Sequence, residues 1–272
     1  MKRPNKALAV FLCFLILITA LVSCNNNTPP QGKETTVQNS HTYDKNISSI
    51  KDDSSKLVPT EGLAYNLIQN TYYEVSAGTA TNATEIVIPS THQGKPVSQI
   101  PRQAFLGCEK VTKIHIPETI SYIGVNAFSN CKSLSHIVVH PKNPYFQSID
   151  GNLYSKNGTA FLQYASGKSA TEFTLPTSVT TIASYAFAPS KLTKITIGNT
   201  VTEIGDYVFF HSENLVDVVI GKSVTRIGTN AFSACYALKN IYFAGSEAEW
   251  NSIGTSHADI PESVTIHFNY NS

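Results

Sequence analysis

A 23-residue phrase recurs down the second half of the chain, and a period this fixed confines the fold to a stack of equivalent coils. Its fullest copies are Val111 to Ser133 (V-T-K-I-H-I-P-E-T-I-S-Y-I-G-V-N-A-F-S-N-C-K-S) and Leu215 to Ala237 (L-V-D-V-V-I-G-K-S-V-T-R-I-G-T-N-A-F-S-A-C-Y-A). An irregular copy starts at Leu134, a partial one lies near Phe173 and another starts at Leu192. Phe105 and Phe128 stand 23 apart, Phe187 and Phe209 22 apart, Phe209 and Phe232 again 23. A coil this small cannot bury its own apolar face, so each depends on its neighbours.

The residue order within a coil gives the expected path of the chain. In L-x-x-I-x-I, two β-branched residues two apart point inward and the residues beside them point outward. Strand centres fall at Ile86, Ile114, Ile137, Phe173, Ile195, Val218 and Ile241. Pro117, Pro176, Gly198 or Gly221 then ends the strand. Ile123-Gly124, Ile204-Gly205 and Ile227-Gly228 add an inward apolar residue beside a glycine able to turn at positive φ. In the Ala-Phe pair that follows, Ala127 leaves room for close approach of coils and Phe128 stacks on its equivalents. The fold expected is a mostly β repeat solenoid, with a parallel sheet on one face, short or helical turns opposite and β-hairpins as caps.

Two stretches break the period. The insertion S-T-H-Q-G-K-P lengthens the first interval to 28 residues, and the segment 140–171 lengthens a later one to 36. In the second, the Lys156-Asn157-Gly158 turn between two apolar runs predicts a hairpin projecting from the solenoid. Alternation around Gln69-Asn70 predicts an N-terminal capping hairpin within 60–82, and Trp250 with Val264 to Phe268 marks a C-terminal cap over 244–272. The repeat domain therefore spans 60–272. Ahead of it, 24–59 is poor in large apolar residues and has no period, as expected of a disordered tether.

Residues 1–23 read as an export signal: Lys2, Arg3 and Lys6 precede an apolar run, and Leu21-Val22-Ser23-Cys24 follows. That tetrapeptide resembles a bacterial lipobox, which implies cleavage before Cys24 and its lipidation, hence anchoring to a membrane. The run from Ala7 to Val22 is 16 residues, short of the roughly 20 that a membrane span needs. Loss of the signal removes three of the 20 basic residues and none of the 19 acidic ones, so the mature chain is near neutral and has no basic stripe for nucleic acid. Charged residues make up only 14%, which suits an exported surface protein. Cys108, Cys131 and Cys235 share one phase of the repeat with Ser190 and Ser212, the pattern of a small packing position. A disulfide between Cys108 and Cys131 stays open as the alternative.

The outward columns hold the candidate ligand-binding face: Lys113, His115, His136, Val138, Thr174, Lys194, Thr196, Asp217, Val219 and Tyr242. Alternating charge along one column relieves like-charge repulsion between adjacent strands. Tyr145, Phe146, Tyr154 and Tyr164 are candidate contacts on the inserted hairpin, since tyrosine is favoured at interfaces. His115, His136 and His140 share a face, but offsets of two residues on neighbouring strands separate the diagonal pairs by roughly 7 to 8 Å, too far for one ion. No catalytic motif, cofactor loop or metal-ligand spacing is present, so the chain is expected to be neither enzyme nor cofactor carrier.

Leu215, Val218, Ile220, Val224, Ile227, Gly228, Ala231, Phe232 and Cys235 match L-x-x-I-x-I-P-x-x-V-x-x-I-G-x-x-A-F-x-x-C, and the chain from Thr60 to Phe268 resembles the BspA-like bacterial leucine-rich-repeat proteins. Ala183, Val208 and Pro189 depart from that pattern locally. The resemblance implies a right-handed leucine-rich-repeat solenoid on the bacterial cell envelope. It also implies a surface-exposed, monomeric binding or adhesion module for an extracellular protein or glycan. The competing expectation is a passive spacer in the envelope.

Overall fold

The computed structural model describes residues 57–271. The signal, Cys24 and most of the tether lie outside them. A hairpin of β1 (Ala64–Ile68) and β2 (Tyr72–Ser76) opens the fold, turning at Gln69 (φ 46°) and Asn70 (φ 56°). Positive φ at both central residues matches the right-handed twist of the paired strands. The first insertion is a second short hairpin, β4 (Thr91–His92) with the start of β5 (Lys95–Ile100), and β5 joins β2 in parallel.

The main strand face consists of two sheets. β3 (Glu85–Val87), β6 (Lys113–Ile116) and β8 (His136–Val139) form the first, all parallel, with Ile86, Ile114 and Ile137 in register. β12 (Glu172–Thr174), β14 (Lys194–Ile197), β16 (Asp217–Ile220), β18 (Asn240–Phe243) and β19 (Thr265–His267) form the second, with Phe173, Ile195, Val218, Ile241 and Ile266 in register. Every strand centre read from the repeat lies in these registers.

A second face of short parallel strands was not legible in the repeat. β7 (Tyr122–Ile123) pairs with β5, while β13 (Thr181–Ile182), β15 (Glu203–Ile204) and β17 (Arg226–Ile227) pair with one another. Two residues per strand are too few for a period to register. Threonines and serines at the strand starts reinforce both faces by hydrogen-bonding to the previous coil's carbonyl. Thr112 reaches Thr84 O at 2.9 Å, Thr193 reaches Thr171 O at 3.1 Å and Thr225 reaches Thr202 O at 3.2 Å.

The glycines at 124, 205 and 228 do not turn at positive φ. They permit close approach: a Cβ at Gly124 would lie 2.3 Å from Arg102 N, and one at Gly228 2.4 Å from Gly205 C. The left-handed turn falls two residues later, at Gln103, Asn126, Tyr185, Tyr207 and Asn230 (φ 53 to 66°).

The segment expected to project does not. β9 (Phe146–Ile149), β10 (Asn152–Ser155) and β11 (Ala160–Gln163) form an antiparallel meander whose last strand runs parallel to β13 and extends the second face. Phe161 thereby takes the place of a coil phenylalanine, stacking 4.8 Å from Phe187, which continues to Phe209 at 5.6 Å and Phe232 at 5.3 Å. Burying each such ring contributes about 1.5 to 3 kcal/mol. The aromatic side chains and alternation of this segment pull it into the stack. Asn143, fully buried, ties its base down: Nδ2 donates to Pro117 O and Ile120 O at 2.9 Å each, and Oδ1 accepts from Tyr145 N and Phe146 N at 2.8 Å each.

The insert also divides the interior. One apolar core runs from Leu63 to Leu153 and the other from Tyr154 to Ala258. Consecutive residues of β10 point to opposite sides, so Leu153 enters one core and Tyr154 the other. At the C-terminal end the closure is not a hairpin. Helix α1 (Glu247–Ile253), started by a Ser246–Glu249 capping box, places Trp250 against Phe243 at 5.3 Å, and β19 covers the last sheet edge in parallel.

Candidate functional site

The outward side chains divide between the two sheets, so the candidate face is not one continuous surface. On the first sheet, Glu85 gathers its neighbours: its Oε1 lies 2.6 Å from His115 Nε2 and 3.6 Å from Lys113 Nζ. The hydrogen bond from His115, with the Lys113 charge adding to it against partial burial, holds the Glu85 carboxyl below its usual value. His136 contacts Ser135 Oγ at 2.9 Å, and His140 Nδ1 lies 3.7 Å from Glu118 Oε2. The three histidines thus face separate partners. Among the described residues, no group of three histidine, cysteine or acidic side chains is placed to hold a metal ion. Val138 is half-buried on this sheet.

On the second sheet, a polar chain crosses three strands. Asn240 Nδ2 donates to Asp217 Oδ1 at 2.8 Å, and Asn240 Oδ1 meets His267 Nε2 at 3.0 Å. His267 then stacks on Tyr242, with ring centroids 4.6 Å apart and planes 14° apart, and Tyr270 packs on the same ring at 4.8 Å. Thr174 is exposed, while Lys194, Thr196 and Tyr242 are half-buried beside it. Val219 is only 5% exposed and presents no contact surface. His267 and Tyr270 escaped the repeat pattern because β19 lies beyond the last recognisable copy. The extension of the register into Val264 to Phe268 is the sequence signal for His267, and Tyr270 lies beyond it.

The four hairpin candidates separate by burial. Tyr154 and Tyr164 are core residues at 1% and 2% exposure and cannot contact a ligand. Phe146 packs partly buried against the first core. Tyr145, 53% exposed, alone remains at the surface. Burial, with the Asp150 charge adding to it, raises the Tyr164 phenol to about 12.

The cysteine column is a packing column. Cys108, Cys131 and Cys235 are buried thiols; Cys131 Sγ lies 3.1 Å from Phe105 O and Cys235 Sγ 3.1 Å from Phe209 O. Ser212 takes the same role, its Oγ donating to Phe187 O at 3.2 Å. Burial pushes the Cys235 thiol up to about 12, and the Cys131 thiol is raised by its own hydrogen bond with Cys108 together with burial.

The model of the BspA type leucine-rich-repeat region matches six copies, over residues 76–160 and 159–265. A leucine-rich-repeat protein from Eubacterium ventriosum is 21% identical, with 69% of this chain and 71% of that one covered at a TM-score of 0.47. One from Bacteroides ovatus is 29% identical, covering 69% and 47% at 0.43. A leucine-rich cell surface protein from Faecalibacterium prausnitzii is 19% identical, covering 75% and 98% at 0.34. The chain matches no curated protein. With six copies of its repeat spread over both strand faces and both cores, the chain belongs to the BspA-type leucine-rich-repeat family.

Proposed function

We propose that this chain is a non-catalytic, protein-binding module of the bacterial cell surface, carried on a lipid anchor at Cys24 and the segment that follows it, and binding through its five-stranded sheet. The observation that supports this reading best is the cluster of Tyr242, His267 and Tyr270 at the end of that sheet, held by the Asp217–Asn240–His267 hydrogen bonds. Aromatic groups fixed on a hydrogen-bonded sheet lose little side-chain entropy on binding, and tyrosine is enriched where interfaces are strongest. Regular strands with unbroken register keep the row of Thr174, Thr196 and Tyr242 at fixed spacing.

The test is binding of the full chain to arrays of matrix proteins and microbial surface extracts, beside a Thr196→Ala/Tyr242→Ala double variant. Saturable binding weakened at least about tenfold in the variant supports the sheet as the site, the loss expected when one interface tyrosine is truncated. Binding that the variant retains would move the site elsewhere, and no binding to any surface would favour the envelope spacer. Cys24→Ala is expected to release the chain from membranes; retention after signal cleavage would refute the anchor.

A further inference from the structure

A shallow groove enclosing about 520 Å³ opens where the stack is broken, lined by Arg102, Tyr122, Val125, Ser184, Tyr185, Asp206 and Tyr207. Its origin is a gap in the backbone ladder. Elsewhere on this side the residue at the left-handed turn donates its N–H to the next coil: Gln103 to Val125 O, Tyr185 to Asp206 O and Tyr207 to Thr229 O. By the same register Asn126 N–H would reach Ser184 O, but the carbonyls of that coil take other partners. Ala186 O accepts from Tyr164 N and Ala188 O from Ser129 Oγ, and Ser184 O accepts no hydrogen bond among the described residues.

The residues around the gap are unusual for their positions. The left-handed turn takes Gln or Asn in three coils but tyrosine at 185 and 207, where a bulky side chain at positive φ (61° and 56°) is costly. These two rings stack at 4.9 Å and 6°. Tyr122 and Val125, 47% and 46% exposed, face them across the groove as part of its lining. Arg102 makes no hydrogen bond or ion pair with any described residue. Asp206 Oδ1 accepts from Arg226 at 3.2 Å and from Thr229 N at 2.9 Å, but Arg226 also binds Glu203 at 2.7 Å, so Arg102 is the cation that the groove's lining leaves for a ligand.

We propose that this groove is a second binding site, separate from the sheet, and that it takes an acidic saccharide. Its volume lies within the range of small-ligand sites, about 300 to 1,000 Å³. It is open and amphipathic, lacking the closed apolar pocket in which a peptide anchor residue would bury. Flat tyrosine rings match the C–H face of a pyranose, and the planar Arg102 fork matches a carboxylate in bidentate geometry. Ser184 O and the hydroxyls of Tyr122 and Tyr185 serve the sugar hydroxyls, that of Tyr207 already accepting from Asn230 Nδ2 at 2.9 Å, so one ligand uses both the unpaired charge and the unpaired backbone carbonyl.

The test uses the full chain titrated with two carboxylated probes, a tetrasaccharide of alternating glucuronate and N-acetylglucosamine and a tetragalacturonate. Each is compared with its carboxyl-reduced, neutral form and with a glutamate-rich peptide. The variants are Arg102→Gln and Tyr185→Asn/Tyr207→Asn, the latter installing the residue that left-handed turns favour, which offsets the lost ring stack and the lost Asn230–Tyr207 hydrogen bond, and a cooperative thermal transition checks that each variant is folded. Expected is saturable binding of a carboxylated probe, weakened at least about tenfold by carboxyl reduction and by Arg102→Gln, as loss of a charge-assisted bidentate pair demands. The asparagine variant should abolish it while remaining folded. Absence of binding by both carboxylated probes overturns the proposal, as does binding insensitive to these variants, or peptide binding at the same residues in place of the saccharides.

Discussion

Tyr164 carries its phenol into the second core with no hydrogen-bond partner among the described residues, at 2% exposure. An unsatisfied buried hydroxyl forfeits about 1 to 3 kcal/mol of solvation. Tyr164→Phe keeps the ring stacked 5.5 Å from Phe187 and removes the orphan group, so thermal unfolding should show an unchanged or higher midpoint. A lower midpoint would mean that the hydroxyl has a partner after all. The cysteines give a second residue-level prediction. With its thiol raised to about 12 by burial, Cys235 holds almost no thiolate at pH 8, so iodoacetamide should leave it unlabelled in the folded chain and label it after denaturation. The exchange of Cys and Ser at one repeat phase already pointed to this packing role, because both are small and both can donate to the coil carbonyl beneath. The identity of the left-handed residue was less legible. A glycine after isoleucine suggests a turn there, yet the close approach of the next backbone is what excludes a Cβ at 124 and 228.

At the scale of elements, the insert shows where reading from the sequence reaches its limit. Lys156-Asn157-Gly158 does mark a turn, and β10 and β11 do flank it. Whether such a hairpin projects or packs depends on what its aromatic residues meet, and the vacancy beside Phe187 is a property of the stack that no local pattern encodes. The strand registers were legible because the strand centres share one phase of the repeat, whereas the break between β8 and β12 arises from the insert's pairing. Asn143 is the element's fastening. Its four hydrogen bonds join the coil at Pro117 and Ile120 to the start of β9, and Asn143→Ala would leave the buried Ile120 O and the partly buried N–H groups of Tyr145 and Phe146 unpaired, while Pro117 O keeps its bond from Ile120 N. At about 1 to 3 kcal/mol for each buried group left unpaired, a loss of at least about 3 kcal/mol is expected in denaturant titration. Limited proteolysis should then cut first between 144 and 160. A loss below about 1 kcal/mol would show that water replaces the amide without strain.

For the whole molecule, the division into two cores governs how damage spreads. Coil phenylalanines stack without interruption from Phe161 to Phe232, and Phe105 with Phe128 forms a separate pair 5.9 Å apart. In a linear stack each coil is stabilised by its neighbours, so a defect weakens adjacent coils first. Phe209→Ala removes a fully buried ring from the middle of the longer ladder and should cost about 3 to 5 kcal/mol. Amide hydrogen exchange should then accelerate across β12 to β18, in the strands whose inward residues share that core. Protection in β3, β6 and β8 should change little, because their isoleucines belong to the other core, which meets this one through β10, where Leu153 and Tyr154 face opposite ways, and through single hydrogen bonds such as Ser129 Oγ to Ala188 O. Equal acceleration in both groups of strands would mean that β10 transmits the loss and that the two cores unfold as one cooperative unit.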